Sequence, residues 1–264
     1  MDVHAPIHPP EPYFSMFPRS AERFDPTWGF GEFRELVRRG EPVPPEALEY
    51  IAATYDGAMA YADHHVGRVL GRLRELGLHD AAAIAVASDH GEGFGDNDVF
   101  GHGSSVRHAV TRVPLILKLP GQREGRRVAT PVSTADLFPT FLEVAGLSVP
   151  DGIDAVSLRA SAPPPERPLL AESYTETGVR ARAVRVGDYK LVVRSGRNLQ
   201  LFDVARDPGE TIDLAARDAE RASALRARLD GVGADLESAP RPEAKRLGEE
   251  HRARLRALGY VDDD

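Results

Sequence analysis

The sequence contains no cysteine. Disulfides, Cys-ligated zinc, iron–sulfur clusters and a thiol nucleophile are therefore excluded within its 264 residues. Positive charge is in deficit: 33 Lys+Arg stand against 41 Asp+Glu, for a formal net charge of −8. A nucleic-acid groove and a polybasic membrane patch both need a local excess of cations, so neither is expected. No apolar run approaches the ~20 residues of a membrane span. The opening residues MDVHAP have no basic start and no apolar stretch, so they do not form a signal peptide. Any export signal of a longer parent would lie ahead of Met1. The serine-elbow pattern G-x-S-x-G is absent, as are the Walker A, GxGxxG and HExxH patterns. What is present is a globular balance, 42% hydrophobic and 28% charged, with enough length for one large domain or two smaller ones.

Residues 1–20 are proline-rich, dotted with aromatics and aperiodic, which reads as an irregular loop. Residues 21–43 hold the single tryptophan, Trp28, in an insertion or short helix. Pro44, Pro45 and Glu46 suit a first helical turn. Ile51, Tyr55, Met59, Val66, Leu70 and Leu73 then recur at helical spacing, predicting one long amphipathic helix to about Leu76, stopped by Gly77. Ala81–Ser88 reads as a buried strand of a parallel sheet, and Val113–Leu119 as a second strand. Thr134–Gly146 is expected to be helical, with Thr134 as N-cap. Ser161–Pro168 (SAPPPERP) is the best linker candidate. Beyond it, 182–193 and 199–204 read as antiparallel strands with a Gly-Asp turn, and 216–236 as a charged amphipathic helix. The expectation is an α/β portion over 1–160 followed by a smaller α+β portion over 161–264.

The sharpest chemical feature is Ser88-Asp89-His90-Gly91-Glu92 at the C-terminal end of a predicted strand, the edge where open α/β sheets bind ligands. Asp89 offers a hard anionic oxygen and His90 an imidazole nitrogen. If Gly91 lets the backbone turn sharply, both side chains can face one crevice and hold half the shell of a divalent ion. An acidic cap on a βα turn with an incidental histidine is an equally good local reading. Twelve residues after His90, His102 sits between Gly101 and Gly103 at the end of a glycine- and acid-rich loop. Such a loop can return His102 over the crevice, to donate a hydrogen bond to an anionic substrate or leaving oxygen. A solvent-exposed loop histidine fits the local sequence as well. His4 lies in the opening loop, where prolines fix side-chain direction, but nothing local gives it a role. His64 and His65 read as a solvated helix face. His79 lies near a helix end, and His108 and His251 carry no usable signal.

Taken in order, these segments resemble the sulfatase family of the alkaline phosphatase superfamily. DVHAPIHPPEPY resembles its D-x-H-x-P-Y-x-P-P segment. AMAYADHHVGRVLGRLRELGLHDAAAIAVASDHGEGFGDNDVFGHG resembles its long helix, strand and SDHGE…HG segment. TRVPLILKLPG, STADLFPTFLEVAGLSVP, LFDVARDPGE and RARLRALGYV resemble its later strand, its D-x-x-P-T helix, its C-terminal strand and a frequent ending. The resemblance covers nearly the whole chain and is weakest at residues 20–43. It implies an alkaline-phosphatase-like αβα sandwich, present in part, with a smaller C-terminal α+β subdomain. Asp89 and His90 match the second pair of metal ligands, for a calcium ion or, in some members, magnesium or manganese. His4 and His102 match residues that contact the substrate sulfate or its leaving oxygen. In the family a formylglycine hydrate attacks sulfur and expels an alcohol.

The sequence departs from the family pattern at one place. The first metal carboxylates and the C/S-x-P-x-R nucleophile segment come before the D-x-H segment in the family, and this sequence opens at D-x-H and contains no such segment. The expectation is the C-terminal part of a sulfatase, with no nucleophile of its own and no turnover as an isolated chain. Phosphonate monoester hydrolases and phosphoglycerol transferases share the Asp-His-Gly turn and form the alternative enzyme reading. A nucleophile-less binding or scaffold domain forms the third. The expected partner is a sulfate-ester substrate, with neither nucleic acid nor a membrane span; the sequence gives no sign of oligomeric state.

Overall fold

The computed structural model describes residues 3–4, 7–18, 30–103, 105–159, 163–175, 178–194 and 198–238. Trp28 with the rest of 21–29 and the RARLRALGYV ending lie outside these. Two compact units are present, one built on residues up to Leu73 and one on Arg74–Ser238. The boundary expected at 160/161 falls inside the second.

In the first unit the described opening residues form neither helix nor strand. Helix α1 (Phe30–Arg38) buries Phe30 and Phe33, whose rings meet edge to face at 6.5 Å. Helix α2 (Pro45–Glu75) spans the predicted range, but its buried face is Ala47, Ile51, Thr54 and Ala58 at i, i+4, i+7 and i+11, while Met59, expected on that face, is exposed. Gly57 on α2 is required by close approach: a Cβ there would lie 2.5 Å from the Tyr13 carbonyl oxygen. The opening segment packs onto the helix at that point, and Tyr13 meets Tyr61 edge to face at 5.2 Å.

The second unit opens with strand β1 (Ile84–Ala87), which pairs with β4 (Leu115–Lys118) in a two-stranded sheet. The pairing is antiparallel, Ile84 opposite Lys118 and Ala87 opposite Leu115, and Ile116 is 65% exposed. The expected buried strand of a parallel sheet is therefore corrected. A parallel neighbour needs a crossover, usually a full helix. The chain between β1 and β4 instead contains a small hairpin, β2 (Gly93–Phe94) with β3 (Phe100–Gly101), and the single turn α3 (His108–Thr111). So the glycine-rich stretch after Glu92, expected as loop, is a hairpin.

The D-x-x-P-T segment forms a 3₁₀ turn at Thr134–Asp136 and helix α4 (Leu137–Val144). Its cap is Ser133, not Thr134: Ser133 Oγ accepts the Ala135 N–H, and the Asp136 carboxylate accepts the Ser133 N–H in return. Asp136 is fully buried and also takes the Val156 N–H and the Arg167 guanidinium, at 2.9 and 2.5 Å. Arg167 lies in the stretch expected as a linker, where Pro163 is buried and Arg167 half-buried while Pro164, Pro165 and Glu166 are exposed.

Four antiparallel strands follow in sequence order: β5 (Leu169–Thr175), β6 (Gly178–Val186), β7 (Tyr189–Arg194) and β8 (Asn198–Asp203). Gly187, at φ +56°, makes the two-residue turn between β6 and β7. Alternation puts Val184, Leu191, Val193 and Leu201 on one face, against Ala222, Leu225 and Leu229 of helix α5 (Ala219–Ser238). Ala181, Ala183, Val192 and Phe202 face the other way, against Val106.

Candidate functional site

The candidate site forms where β1 ends. Asp89 is exposed, its side chain 80% accessible, and His90 is half-buried. Ser88 Oγ donates to the His90 carbonyl at 2.6 Å, and the His90 N–H donates to Asp89 Oδ1 at 3.1 Å, which tightens the turn. His90 Nδ1 lies 2.9 Å from the Gly91 carbonyl oxygen. A carbonyl only accepts, so Nδ1 carries the proton and the lone pair of the neutral ring is on Nε2. That Nε2 is 3.9 Å from Asp89 Oδ1. Two donors at this separation can both reach one hard cation at ~2.0–2.6 Å. The pair thus fits a shared divalent ion, as two ligands of a larger set.

Gly91 serves the turn differently from the expectation. It does not adopt positive φ; instead its backbone lies against α3. The Gly91 N–H donates to the Val110 carbonyl at 2.7 Å, and a Cβ at Gly91 would stand 2.1 Å from the Ala109 carbonyl oxygen. The close approach of two backbones, not a left-handed turn, calls for glycine here.

The β2–β3 hairpin returns the chain so that His102 stacks on His90, with ring centroids 3.9 Å apart and planes 23° apart. Glu92 lies beneath it, 3% exposed, with its two carboxylate oxygens 3.1 and 3.2 Å from His102 Nδ1. Asp89, His90 and His102 line one cleft of about 1020 Å³, with Ser173, Arg185 and Lys190 on its other walls. His4 belongs to the first unit, half-buried in the opening segment, while Asp89, His90 and His102 come together in the second.

Behind the cleft is a buried ionic group assembled from residues far apart in the sequence. Glu210 is 1% exposed and adopts φ +54°, a strained conformation for a residue with a Cβ. Its carboxylate meets Lys190 Nζ of β7 at 2.8 Å and accepts the His108 N–H at 2.8 Å. Its own carbonyl accepts from Arg107, whose guanidinium also bonds Gln200 and lies 4.5 Å from the Phe202 ring centroid. Burial pushes the Lys190 ammonium below its usual pKa, and Glu210 works against that shift. Burial likewise lowers the pKa of His108, whose Nδ1–H donates to the Pro208 carbonyl. The acid of LFDVARDPGE thus anchors the 107–111 segment that holds Gly91. Only Glu210's place in that motif marks it in the sequence; Lys190 and Arg107 carry no signal.

The sulfatase family model matches residues 1–147, and the model described as N-sulphoglucosamine sulphohydrolase, C-terminal, matches residues 104–232. The chain is 28% identical to bovine (Bos taurus) arylsulfatase K over 200 residues, covering 70% of this chain and 37% of that protein. It thus spans well under two thirds of the length of the curated relatives it matches. A solved structure in complex with its substrate D-glucosamine-2-N,6-O-disulfate superposes with a TM-score of 0.61 at 22% identity, covering 80% of this chain and 47% of that one. The phosphonate monoester hydrolase from Silicibacter pomeroyi superposes with a TM-score of 0.67 at 24% identity, covering 94% and 57%. These likenesses show the fold: an alkaline-phosphatase-like αβα architecture, present in part, with a smaller C-terminal α+β portion. With the family model spanning more than half of its residues and the Asp-His turn lying inside that match, the chain belongs to the sulfatase family.

Proposed function

We propose that this chain supplies the second pair of cation ligands and the substrate-facing histidines of a sulfuric ester hydrolase. The observation that carries the reading is the Asp89/His90 donor pair set beside His102 at one strand end, within one cleft. Members of the family use a divalent cation. We assign Asp89 Oδ1 and His90 Nε2 as its ligands here and favour calcium, with magnesium or manganese as alternatives. Such a cation, when bound, offsets negative charge on the sulfate and nucleophile oxygens. As the imidazolium, with Nδ1–H held by Glu92, His102 gives its Nε2 proton to the leaving oxygen and becomes the neutral Nδ1–H ring. His4 is assigned the sulfate contact by its match to the D-x-H segment. Residues 1–160 form the catalytic portion in this reading, and 161–264 a small subdomain whose Glu210 and Lys190 brace the site.

The substrate is a sulfate ester. No C/S-x-P-x-R segment occurs in the sequence, so that nucleophile segment is not among these residues; the isolated chain is expected to turn over no aryl sulfate. The likeness to phosphonate monoester hydrolase, which covers nearly the whole chain, favours a phospho-ester relative as the second reading.

The test is the DNA immediately ahead of the Met1 codon. The sulfatase reading expects the frame to continue into paired aspartates and a C/S-x-P-x-R segment. A threonine or serine nucleophile outside that context selects the phospho-transfer reading. A stop codon and promoter at that point overturn both enzyme readings and leave a binding domain.

A further inference from the structure

Glu92 has no part in the cation pair or the substrate contacts, yet its side chain is buried against His102. We propose that Glu92 is a positioning residue that fixes which nitrogen of His102 faces the substrate, and that Ser173 of the four-stranded sheet locks the same histidine through its backbone.

An imidazole turned by half a rotation about its last bond exchanges nitrogen for carbon with little change in shape. Packing alone therefore does not orient it; a directional hydrogen bond does. Both Glu92 oxygens lie on Nδ1 of His102, and a carboxylate only accepts, so Nδ1 carries a proton and Nε2 is turned away from Glu92. The hairpin register Gly93 opposite Gly101 brings the two residues together: Glu92 enters β2 just before its first pair, and His102 leaves β3 just after it. The stack on His90 restricts the ring to one plane.

The second lock comes from another part of the chain. Ser173 Oγ, buried, donates to the Gly103 carbonyl at 2.6 Å, next to His102. The β5–β6 register shifts between Ser173 and Tyr174, the kind of irregularity that re-aims a side chain beside a site. Gly103 itself adopts φ +83°, a conformation that strains any residue with a Cβ.

The consequence for proton transfer from Nε2 rests on the sulfatase reading; the orientation itself does not. The test is long-range ¹H–¹⁵N correlation spectroscopy of the ¹⁵N-labelled 264-residue chain, at a pH where the ring is neutral. His102 is expected as the Nδ1–H tautomer. Glu92→Gln keeps an acceptor oxygen and should keep that tautomer. Glu92→Ala should shift both ring nitrogens toward the average of the two tautomers. An Nε2–H His102 in the unmodified chain, or a Glu92→Ala spectrum unchanged at His102, overturns the proposal. If Glu92→Ala does not fold, Ser173→Ala decides. It should reduce the mutual ring-current shifts of His90 and His102 while leaving the tautomer intact, and unchanged shifts count against the proposal. A correct tautomer in a protein that hydrolyses no sulfate ester would leave the orientation standing and remove only the sulfatase reading.

Discussion

Removing the Glu210 carboxylate should be among the most damaging single changes in the chain. Glu210→Ala leaves the Lys190 ammonium, 4% exposed, without its counter-charge 2.8 Å away, and leaves the His108 N–H without its acceptor. Loss of one partner from a buried ion pair costs about 3–5 kcal/mol, because the remaining charge stays desolvated. With a urea m-value of roughly 2 kcal/mol/M, the unfolding midpoint should fall by about 1.5–2.5 M. The deficit should narrow at high pH. Burial already holds the Lys190 pKa below 10.5, so the folded chain sheds that proton before the unfolded chain does. Stability then recovers as pH rises from the folded-state pKa toward 10.5. The double variant Glu210→Gln/Lys190→Met keeps an acceptor for His108 and removes the buried charge. It should lose clearly less than the sum of its single changes. Equilibrium urea unfolding of the unmodified chain, Glu210→Gln, Lys190→Met and the double variant closes the cycle, with Glu210→Ala measured beside them. A Glu210→Ala loss under about 1 kcal/mol, or strict additivity, would refute the claim that this pair braces the cleft.

Gly91→Ala places a methyl 2.1 Å from the Ala109 carbonyl oxygen and should cost at least ~1–3 kcal/mol while moving His90, read as lower thermal stability and altered His90 ring signals. Asp136→Ala removes the acceptor of three groups, Ser133 N–H, Val156 N–H and Arg167, and should cost about 3 kcal/mol by the same unfolding measurement. Burial holds the His108 pKa below its ordinary 6.5, so the unfolded chain takes up the proton first as pH falls. Stability should therefore drop as pH is lowered through 6.5 toward the folded-state value, and His108→Gln should flatten that slope.

How much of this was legible depended on how far apart in sequence the cooperating residues are. Helix α2 was legible because Ile51, Tyr55, Val66, Leu70 and Leu73 recur at helical spacing within the helix itself. The strand-end position of Asp89 and His90 was legible from the apolar run before them. The glycine-flanked loop also carried the expectation of His102 returning over that turn, and the structure stacks it on His90. Strand partnership was not legible: nothing in AAAIAVAS distinguishes a parallel from an antiparallel neighbour, and the connection before β4 decides it. Nor was the reason for Gly91, since the Ala109 carbonyl that excludes a side chain belongs to another element. Glu92 and His102 meet only through the hairpin register. Lys190, Arg107 and Glu210 come from three separate segments, and only the folded sheet brings their charges into contact.

The central claim is that Asp89, His90 and His102 serve sulfate-ester hydrolysis. The most direct measurement is turnover of 4-nitrophenyl sulfate and of an aryl phosphonate by the protein expressed from its gene, including any in-frame sequence ahead of Met1, with calcium, alongside Asp89→Ala and His102→Ala. The account predicts that the sulfate is hydrolysed and that each substitution lowers kcat/KM by on the order of 10²-fold or more. Hydrolysis of the phosphonate with the sulfate untouched, or full sulfatase activity in Asp89→Ala, would contradict it.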